Sequence, residues 1–163
     1  MLDIVTLGAG YNIFLDPGST TGVAVIQPPA TLLFAGQEWD RSELLTWVRR
    51  QRPEAVVVED FRPYEGLPTW ADMPAPRFIG ALEELGLKVV KQQPTCKRTF
   101  PNELLEAAGM LQRGKPHAND AIRHGLYYTW FTLGHLKDEA VQAIYRTHIY
   151  NTSLGRVKRG SKR

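Results

Sequence analysis

The chain has 163 residues, of which 43% are hydrophobic and 23% charged, and its formal net charge is +3. This length corresponds to about one domain, and the composition is that of a folded soluble protein. Its apolar runs fall short of the roughly 20 residues of a membrane helix, and its first residues lack the basic region of a secretory signal. A single cysteine, Cys96, excludes an internal disulfide and a multi-cysteine zinc site. We therefore expect a cytoplasmic protein without a membrane association.

The basic charge is concentrated at the C-terminus. Residues 156–163, "RVKRGSKR", contain five of the 20 basic residues and no acidic residue. Removing these five charges from the net +3 leaves residues 1–155 at −2. A basic arm beside a mildly acidic body favours a polyanionic partner, although solvated basic tails without a partner are also common. We predict a single domain over residues 1–155, followed by a basic tail.

The first third of the chain predicts three antiparallel strands. The segment "IFLD" at 13–16 is separated by a Pro-Gly turn from "GVAVIQ" at 22–27. A third extended segment, "TLLFAGQEW" at 31–39, follows a Pro-Pro break. Because parallel neighbours need a long crossover and these links are short, the three strands should form an antiparallel meander.

The rest of the chain alternates helices with strands. A capped amphipathic segment at 40–52 predicts a helix, and the valine-rich segment 54–61 predicts a buried strand parallel to one of the meander. Residues 62–76 are rich in Pro and Gly and predict a loop. The later predicted elements are a helix at 77–86, a strand at 87–93, and helices at 102–111, 117–134 and 138–150. This order predicts an α/β fold with a five-stranded mixed sheet, three antiparallel strands and then parallel strands, flanked by helices.

Two acidic residues stand at the ends of predicted strands. Asp16 ends the first strand and Glu59 nearly ends the fourth. If these strands are parallel neighbours, they lie about 4.8 Å apart and their carboxylates repel each other unless a cation such as Mg²⁺ lies between them. Asp60 competes with Glu59, because successive side chains point to opposite faces of a strand. The alternative is that Asp16 is a turn residue and Glu59 is solvated.

A third acid lies on the helix predicted for 117–134. His117, Asp120 and His124 recur at i, i+3 and i+7 and therefore share one face of the helix. The alternative is an ordinary amphipathic helix on which this His/Asp face is only solvated. Small residues beside this face would allow close approach to a sheet: Ala118, Ala121 and Gly125. A separate apolar stripe contains Ile122, Leu126, Trp130 and Leu133.

Three motifs in order make the sequence resemble a known family. They are "DPGSTTG" after the first strand, the acid that ends "VVVED", and "HANDA" late in the chain. Together they resemble the RuvC-like Holliday junction resolvases of the RNase H-like superfamily, over roughly residues 12–132. The resemblance implies an RNase H-like fold in which acids on the first strand, the fourth strand and a C-terminal helix bind metal.

Carried over residue by residue, the resemblance implies that Asp16, Glu59 and Asp120 are the metal-binding acids. The family often has a second acid three positions before the helix acid. Here that position is His117, which some relatives also show and which can bind a metal without adding negative charge. Lys97, in "QQPTCKR", resembles a basic residue of bacterial relatives and would stabilise charge on the scissile phosphate. A DNA-backbone contact or a solvated lysine is the alternative for Lys97.

The resemblance also implies an activity and its partners. It implies an Mg²⁺-dependent endodeoxyribonuclease, with Mn²⁺ able to substitute, that cuts four-way (Holliday) or branched DNA in recombination and repair. A homodimer would present two sites to one junction, and the apolar segment 126–131, "LYYTWF", is its candidate interface, although core packing accounts for it almost as well. In the family, an aromatic residue just after the fourth-strand acid helps to open the junction. In this chain, Phe61, Tyr64 or Trp70 could do this. The short chain and the tail resemble a phage-encoded member, which would act in the host cytoplasm.

Other functions fit parts of the sequence. A general RNase H-like nuclease on flaps or RNA/DNA hybrids, or a catalytically inactive DNA-binding module, would keep the same fold. The motif "DPGSTTG" also resembles the phosphate loop of the sugar-kinase, Hsp70 and actin ATPases, but those need two such domains. The "LGAG" near the N-terminus lacks the third glycine of a dinucleotide-binding motif and precedes a strand instead of following one.

Overall fold

A five-stranded mixed sheet forms the centre of the computed structural model, which describes residues 10–37, 40–60 and 74–160. The strand order is β3-β2-β1-β4-β5, with β1, β2 and β3 antiparallel and both β1–β4 and β4–β5 parallel. The strands are β1 (Asn12–Asp16), β2 (Gly22–Gln27), β3 (Thr31–Gly36), β4 (Val56–Glu59) and β5 (Val89–Gln92). The predicted five-stranded mixed sheet is therefore confirmed, although β3, β4 and β5 are shorter than predicted.

Five α-helices pack around the sheet. They are α1 (Arg41–Gln51), α2 (Pro74–Glu84), α3 (Asn102–Ala107), α4 (Pro116–Tyr127) and α5 (Glu139–Gly160). Short helical segments of other types occupy Pro94–Thr99 (3₁₀), Tyr128–Thr132 (π) and His135–Lys137 (3₁₀). None of the helices in the described ranges is long and apolar enough to cross a membrane.

Several helix boundaries differ from the prediction. The helix predicted for 117–134 is α-helical only to Tyr127 and continues as a π turn to Thr132. The helix predicted for 102–111 ends at Ala107, because Gly109 takes a left-handed conformation that breaks it. The helix predicted for 138–150 instead runs to Gly160, so α5 continues into the basic segment 156–163. The loop predicted for 62–76 is wrong at its end, because α2 already begins at Pro74. Residues 62–73 lie outside the described residues, as do the aromatic candidates Phe61, Tyr64 and Trp70.

The core lies on both faces of the sheet, because strand side chains alternate between them. On one face, Phe14, Ile26 and Val57 pack against α3 and α4. On the other face, the neighbouring strand residues pack under α1 and α2: Ile13, Leu15, Val23, Val25, Val56 and Val58. The product is a three-layer arrangement in which the sheet is covered on both sides.

Helix α4 lies unusually close to the sheet. A Cβ atom at Gly125 would lie 2.4 Å from the Ile26 side chain, and one at Gly22 would lie 1.9 Å from the His117 carbonyl oxygen. Ala118 and Ala121 are fully buried at the same contact. The prediction that small residues let this helix approach the sheet is therefore confirmed. The approach brings the start of α4 to the end of β1.

Candidate metal centre

Asp16 and Glu59 meet at one edge of the sheet. β1 and β4 are parallel neighbours with Leu15 opposite Val58, so the next residue of each strand is its acid. The two carboxylates therefore emerge at the same end of adjacent strands, as the sequence predicted. Glu59, the last residue of β4, is the acid that joins this group, and not Asp60, which follows the strand. The strand register therefore makes the choice between the two acids.

Lys97 connects the three predicted acids. Its Nζ lies 3.0 Å from Asp16 Oδ1, 2.6 Å from Glu59 Oε2 and 3.1 Å from Asp120 Oδ2. The lysine lies in the 3₁₀ segment directly after β5, and its side chain is 28% exposed. One ammonium group therefore bridges carboxylates from β1, β4 and α4. We name these four residues, Asp16, Glu59, Lys97 and Asp120, the acid cluster.

From the first turns of α4, Asp120 contributes to the acid cluster and His117 contacts it. His117 Nδ1 lies 3.0 Å from Asp16 Oδ2, and its side chain is 40% exposed. Asp120 Oδ1 accepts a hydrogen bond of 2.7 Å from Arg123, whose Nε also donates to the Phe100 carbonyl at 2.8 Å. The structure thus brings together all five residues predicted for the site.

His124 also belongs to this centre, although it was not among the predicted site residues. It is fully buried, and its Nε2 lies 2.9 Å from Glu59 Oε2. Its Nδ1 contacts the side chain of buried Gln92 at 3.1 Å. The i+7 spacing from His117 placed His124 on the correct helix face, and this spacing was the available signal. No sequence pattern indicated Gln92.

The environment shifts the acids in opposite directions. Burial raises the pKa of Asp16, and its hydrogen bond with Glu59 raises it further. Burial acts in the same direction on Glu59, but hydrogen bonds from His124, Asp16 and Lys97 outweigh it and lower the Glu59 pKa to about 2. Burial alone would lower the pKa of Lys97, but its bonds to Glu59 and Asp16 raise it instead. Glu59 and Lys97 therefore remain charged at neutral pH.

The donor set fits a divalent cation. Asp16, Glu59 and His124 each have one potential ligand atom, and these atoms lie within 4.8 Å of one another. Carboxylate oxygens are the ligands that hard divalent ions prefer. The position of the Lys97 ammonium, within 3.1 Å of three carboxylate oxygens, shows that the cluster already attracts a positive charge there. Asp16 and Glu59, with His124 beside them, therefore form a candidate cation site, which Asp120 adjoins through Lys97 and His117 through Asp16.

The sheet order, the flanking helices and the acids at the sheet edge define an RNase H-like fold. Among solved structures, the fold is similar to "T. thermophilus RuvC in complex with Holliday junction substrate", with a TM-score of 0.58 and 20% identity over 77% of this chain and 96% of that chain. A second similar structure, "Thermus thermophilus RuvC structure", has a TM-score of 0.53 and 20% identity over 76% of this chain and 96% of that one. No protein-family model and no curated protein sequence matches the chain.

Proposed function

We propose that this protein is an Mg²⁺-dependent endonuclease that resolves four-way or branched DNA by phosphodiester hydrolysis. The observation that carries the proposal is the meeting of Asp16, Glu59 and Asp120 around Lys97. These acids come from three elements that are distant in sequence, and a purely structural role would not require them to face one another. RNase H-like nucleases use such a group of acids, which the resemblance of the sequence motifs implies here.

The residues that would hold the ion are Asp16, Glu59, Asp120 and His117. When bound, Mg²⁺, or Mn²⁺ in its place, supplies the Lewis acidity that phosphodiester hydrolysis needs. Asp16 is buried at the end of β1, which pairs with β2 on one side and β4 on the other. Glu59 Oε2 lies 2.6 Å from Lys97 Nζ and 2.9 Å from His124 Nε2. Lys97 would turn its ammonium group from the acids to the scissile phosphate and stabilise the negative charge there.

DNA as the substrate is supported by the fold and by the charge distribution. One structurally similar protein is described in complex with a Holliday junction substrate. We propose that the basic segment 156–163 contacts the DNA backbone, since it carries five positive charges and no negative charge. From the basic segment and the resemblance of the sequence motifs, we propose a phage-encoded enzyme of DNA recombination or repair that acts in the host cytoplasm.

A cleavage assay with matched carboxylate variants tests the proposal. The purified protein is incubated with Mg²⁺ and one of four substrates: a four-way junction, a flap, a linear duplex or an RNA/DNA hybrid. We expect the junction to be cut into two nicked duplexes with 5′-phosphate ends, in preference to the other substrates. Asp16→Asn and Glu59→Gln should reduce cleavage by roughly a thousand-fold or more while junction binding persists, because binding depends mainly on backbone contacts.

The control is Asp60→Asn, which changes the acid that directly follows β4 and should have a much milder effect. Equal loss in Asp60→Asn would contradict the assignment of Glu59. Equal cleavage of flaps and hybrids would indicate a general RNase H-like nuclease, and tight junction binding without any cleavage would indicate a catalytically inactive DNA-binding module.

A further inference from the structure

A buried chain of hydrogen bonds runs from Gln92 through His124 to Glu59. Gln92 Nε2 lies 3.1 Å from His124 Nδ1, and the same amide nitrogen donates to the His124 backbone carbonyl at 3.1 Å. His124 Nε2 lies 2.9 Å from Glu59 Oε2. His124 is fully buried and Gln92 is 8% exposed, so solvent does not compete for these bonds. β4 and β5 set the geometry, because Glu59 pairs directly with Gln92 in the sheet register.

The carbonyl oxygen of His124 decides which way the Gln92 amide faces. A carbonyl can only accept, so the group 3.1 Å from it must be the NH₂ of Gln92 and not its oxygen. The same NH₂ therefore also faces His124 Nδ1, which must accept its second hydrogen. A neutral imidazole with an accepting Nδ1 carries its proton on Nε2. That proton points at Glu59.

We propose that His124 is a positioning residue that donates its Nε2–H to Glu59, and that Gln92 fixes the tautomer in which it can do so. In this tautomer Nε2 has no lone pair for a cation, so His124 is not a metal ligand despite its place beside Asp16 and Glu59. The donor instead holds Glu59 as an oriented carboxylate. The tautomer is a property of the metal-free protein, and only the consequence for catalysis rests on the proposed function.

Imidazole NMR tests the tautomer directly. The ¹H–¹⁵N spectrum of the wild-type side chains distinguishes Nε2–H from Nδ1–H, and a His124→Gln variant identifies the His124 signals among the four histidines of the chain. We expect a neutral Nε2–H ring without added metal. The Nε2–H signal should persist when Zn²⁺ is added, although this ion favours imidazole ligands. A proton on Nδ1, or loss of the Nε2–H signal with Zn²⁺, would overturn the proposal.

A single substitution reverses the donor at Gln92. Gln92→Glu presents only acceptors to His124 Nδ1, so a proton should appear on Nδ1 in the same spectrum. Junction cleavage should fall by about ten- to a hundred-fold, the range typical of residues that orient a metal-site ligand. Gln93→Glu is the matched control, since Gln93 is the next residue, is exposed, and its side chain forms no helix cap. If His124 Nδ1 still carries no proton in Gln92→Glu, the proposed role of Gln92 is contradicted.

The two proposals can fail independently. If the wild-type ring shows the Nε2–H tautomer but the protein cuts no DNA, the positioning of Glu59 stands and the nuclease function falls. If the protein cuts junctions but the His124 ring carries its proton on Nδ1, the nuclease function is supported and the proposed roles of His124 and Gln92 are contradicted.

Discussion

In the described part of the chain, Lys97 pairs with three acidic residues, which is more than is usual for a lysine at a protein surface. Its ammonium group contacts three carboxylates at 2.6–3.1 Å, and its side chain is 28% exposed. Without a positive charge at this position, the acids would repel one another at short range. Lys97 therefore serves the metal-free fold as well as the proposed chemistry, and its contribution to stability can be measured separately from cleavage.

We expect Lys97→Met to lower the stability of the metal-free protein by about 2 kcal/mol, or roughly 4–8 °C in Tm, because three acids lose a charged hydrogen-bond donor. Mg²⁺ would neutralise the same oxygens, so it should raise the Tm of the variant more than that of the wild type. Thermal unfolding in EDTA and in Mg²⁺ measures both effects. Lys91→Met is the control, because its ion pair with Glu83 is about half exposed and should contribute little. Equal Mg²⁺ shifts in wild type and Lys97→Met would contradict the shared position.

Glu59 should make the free energy of unfolding depend on pH in the acidic range. Its folded pKa of about 2 lies below its ordinary value of 4.5, so its contribution is present above pH 4.5 and is lost as the pH falls towards 2. Glu59→Gln should therefore lower the free energy of unfolding at pH 7, by about 1–3 kcal/mol, and flatten its pH dependence between 4.5 and 2. Urea unfolding across this range measures both quantities.

Asp16 should behave in the opposite way. Its pKa is raised by burial, so ionisation of Asp16 costs stability at neutral pH and protonation relieves that cost as the pH falls. Asp16→Asn should therefore be more stable than Glu59→Gln at pH 7, although we expect both variants to lose cleavage. If Asp16→Asn is instead the less stable variant at pH 7, the opposite pKa shifts of the two carboxylates are contradicted.

Helix α4 carries three residues to the centre, and its distance from the sheet is set by glycine. Gly22 faces the His117 carbonyl oxygen with no room for a Cβ atom, and Gly125 faces the side chains of Ile26 and Phe14 in the same way. The spacing of His117, Asp120 and His124 puts them on one face, but only the close contact brings that face to Asp16 and Glu59.

Gly22→Ala should displace the start of α4 and destabilise the fold by about 1–3 kcal/mol through overpacking. Cleavage should fall by roughly ten- to a hundred-fold even below the Tm, because His117 and Asp120 move away from β1. Gly80→Ala is the matched control: Gly80 lies inside α2 with nothing within 4 Å of its would-be Cβ, so alanine should stabilise by about 0.5–1 kcal/mol. Thermal unfolding and junction cleavage give the readouts. Wild-type cleavage in Gly22→Ala would contradict this account.

At the scale of the whole molecule, most of the apolar stripe predicted for residues 122–133 is buried in the core. Of the predicted stripe, Ile122, Leu126 and Trp130 are fully buried in the core, whereas Leu133 is 41% exposed. The prediction that Leu133 continues the stripe was wrong, because the π turn at Tyr128–Thr132 changes the helical phase. Within "LYYTWF", Phe131 is the large exposed residue, at 43%.

The homodimer stays a prediction, and Phe131 is where we would test it. Two opposing strands of a junction need matched nicks, which two related sites can deliver in one encounter. We expect light scattering to show a dimer at assay concentration, and Phe131→Glu to shift it towards monomer. Leu33→Glu is the control, since Leu33 on β3 is similarly exposed at 38%. A wild-type protein that stays monomeric even on the junction would remove the basis for a dimeric resolvase.

The sequence by itself determined the elements and the faces of this protein. Valine-rich runs and turn residues specify strands, the capping Asp40 starts α1 where predicted, and the spacing of His117, Asp120 and His124 places them on one side of α4. These features follow from local geometry, which depends on residues a few positions apart.

Only the tertiary structure decided how those faces meet. The pairing of β1 with β4 selects Glu59 over Asp60, and the pairing of β4 with β5 places Gln92 beside His124. Lys97 reaches acids that are 81, 38 and 23 positions away in the chain. No local pattern encodes these contacts, because strand register and helix packing depend on the burial of the whole core. The motifs therefore indicated which residues matter, and the packing of α4 on the sheet determined what each of them touches.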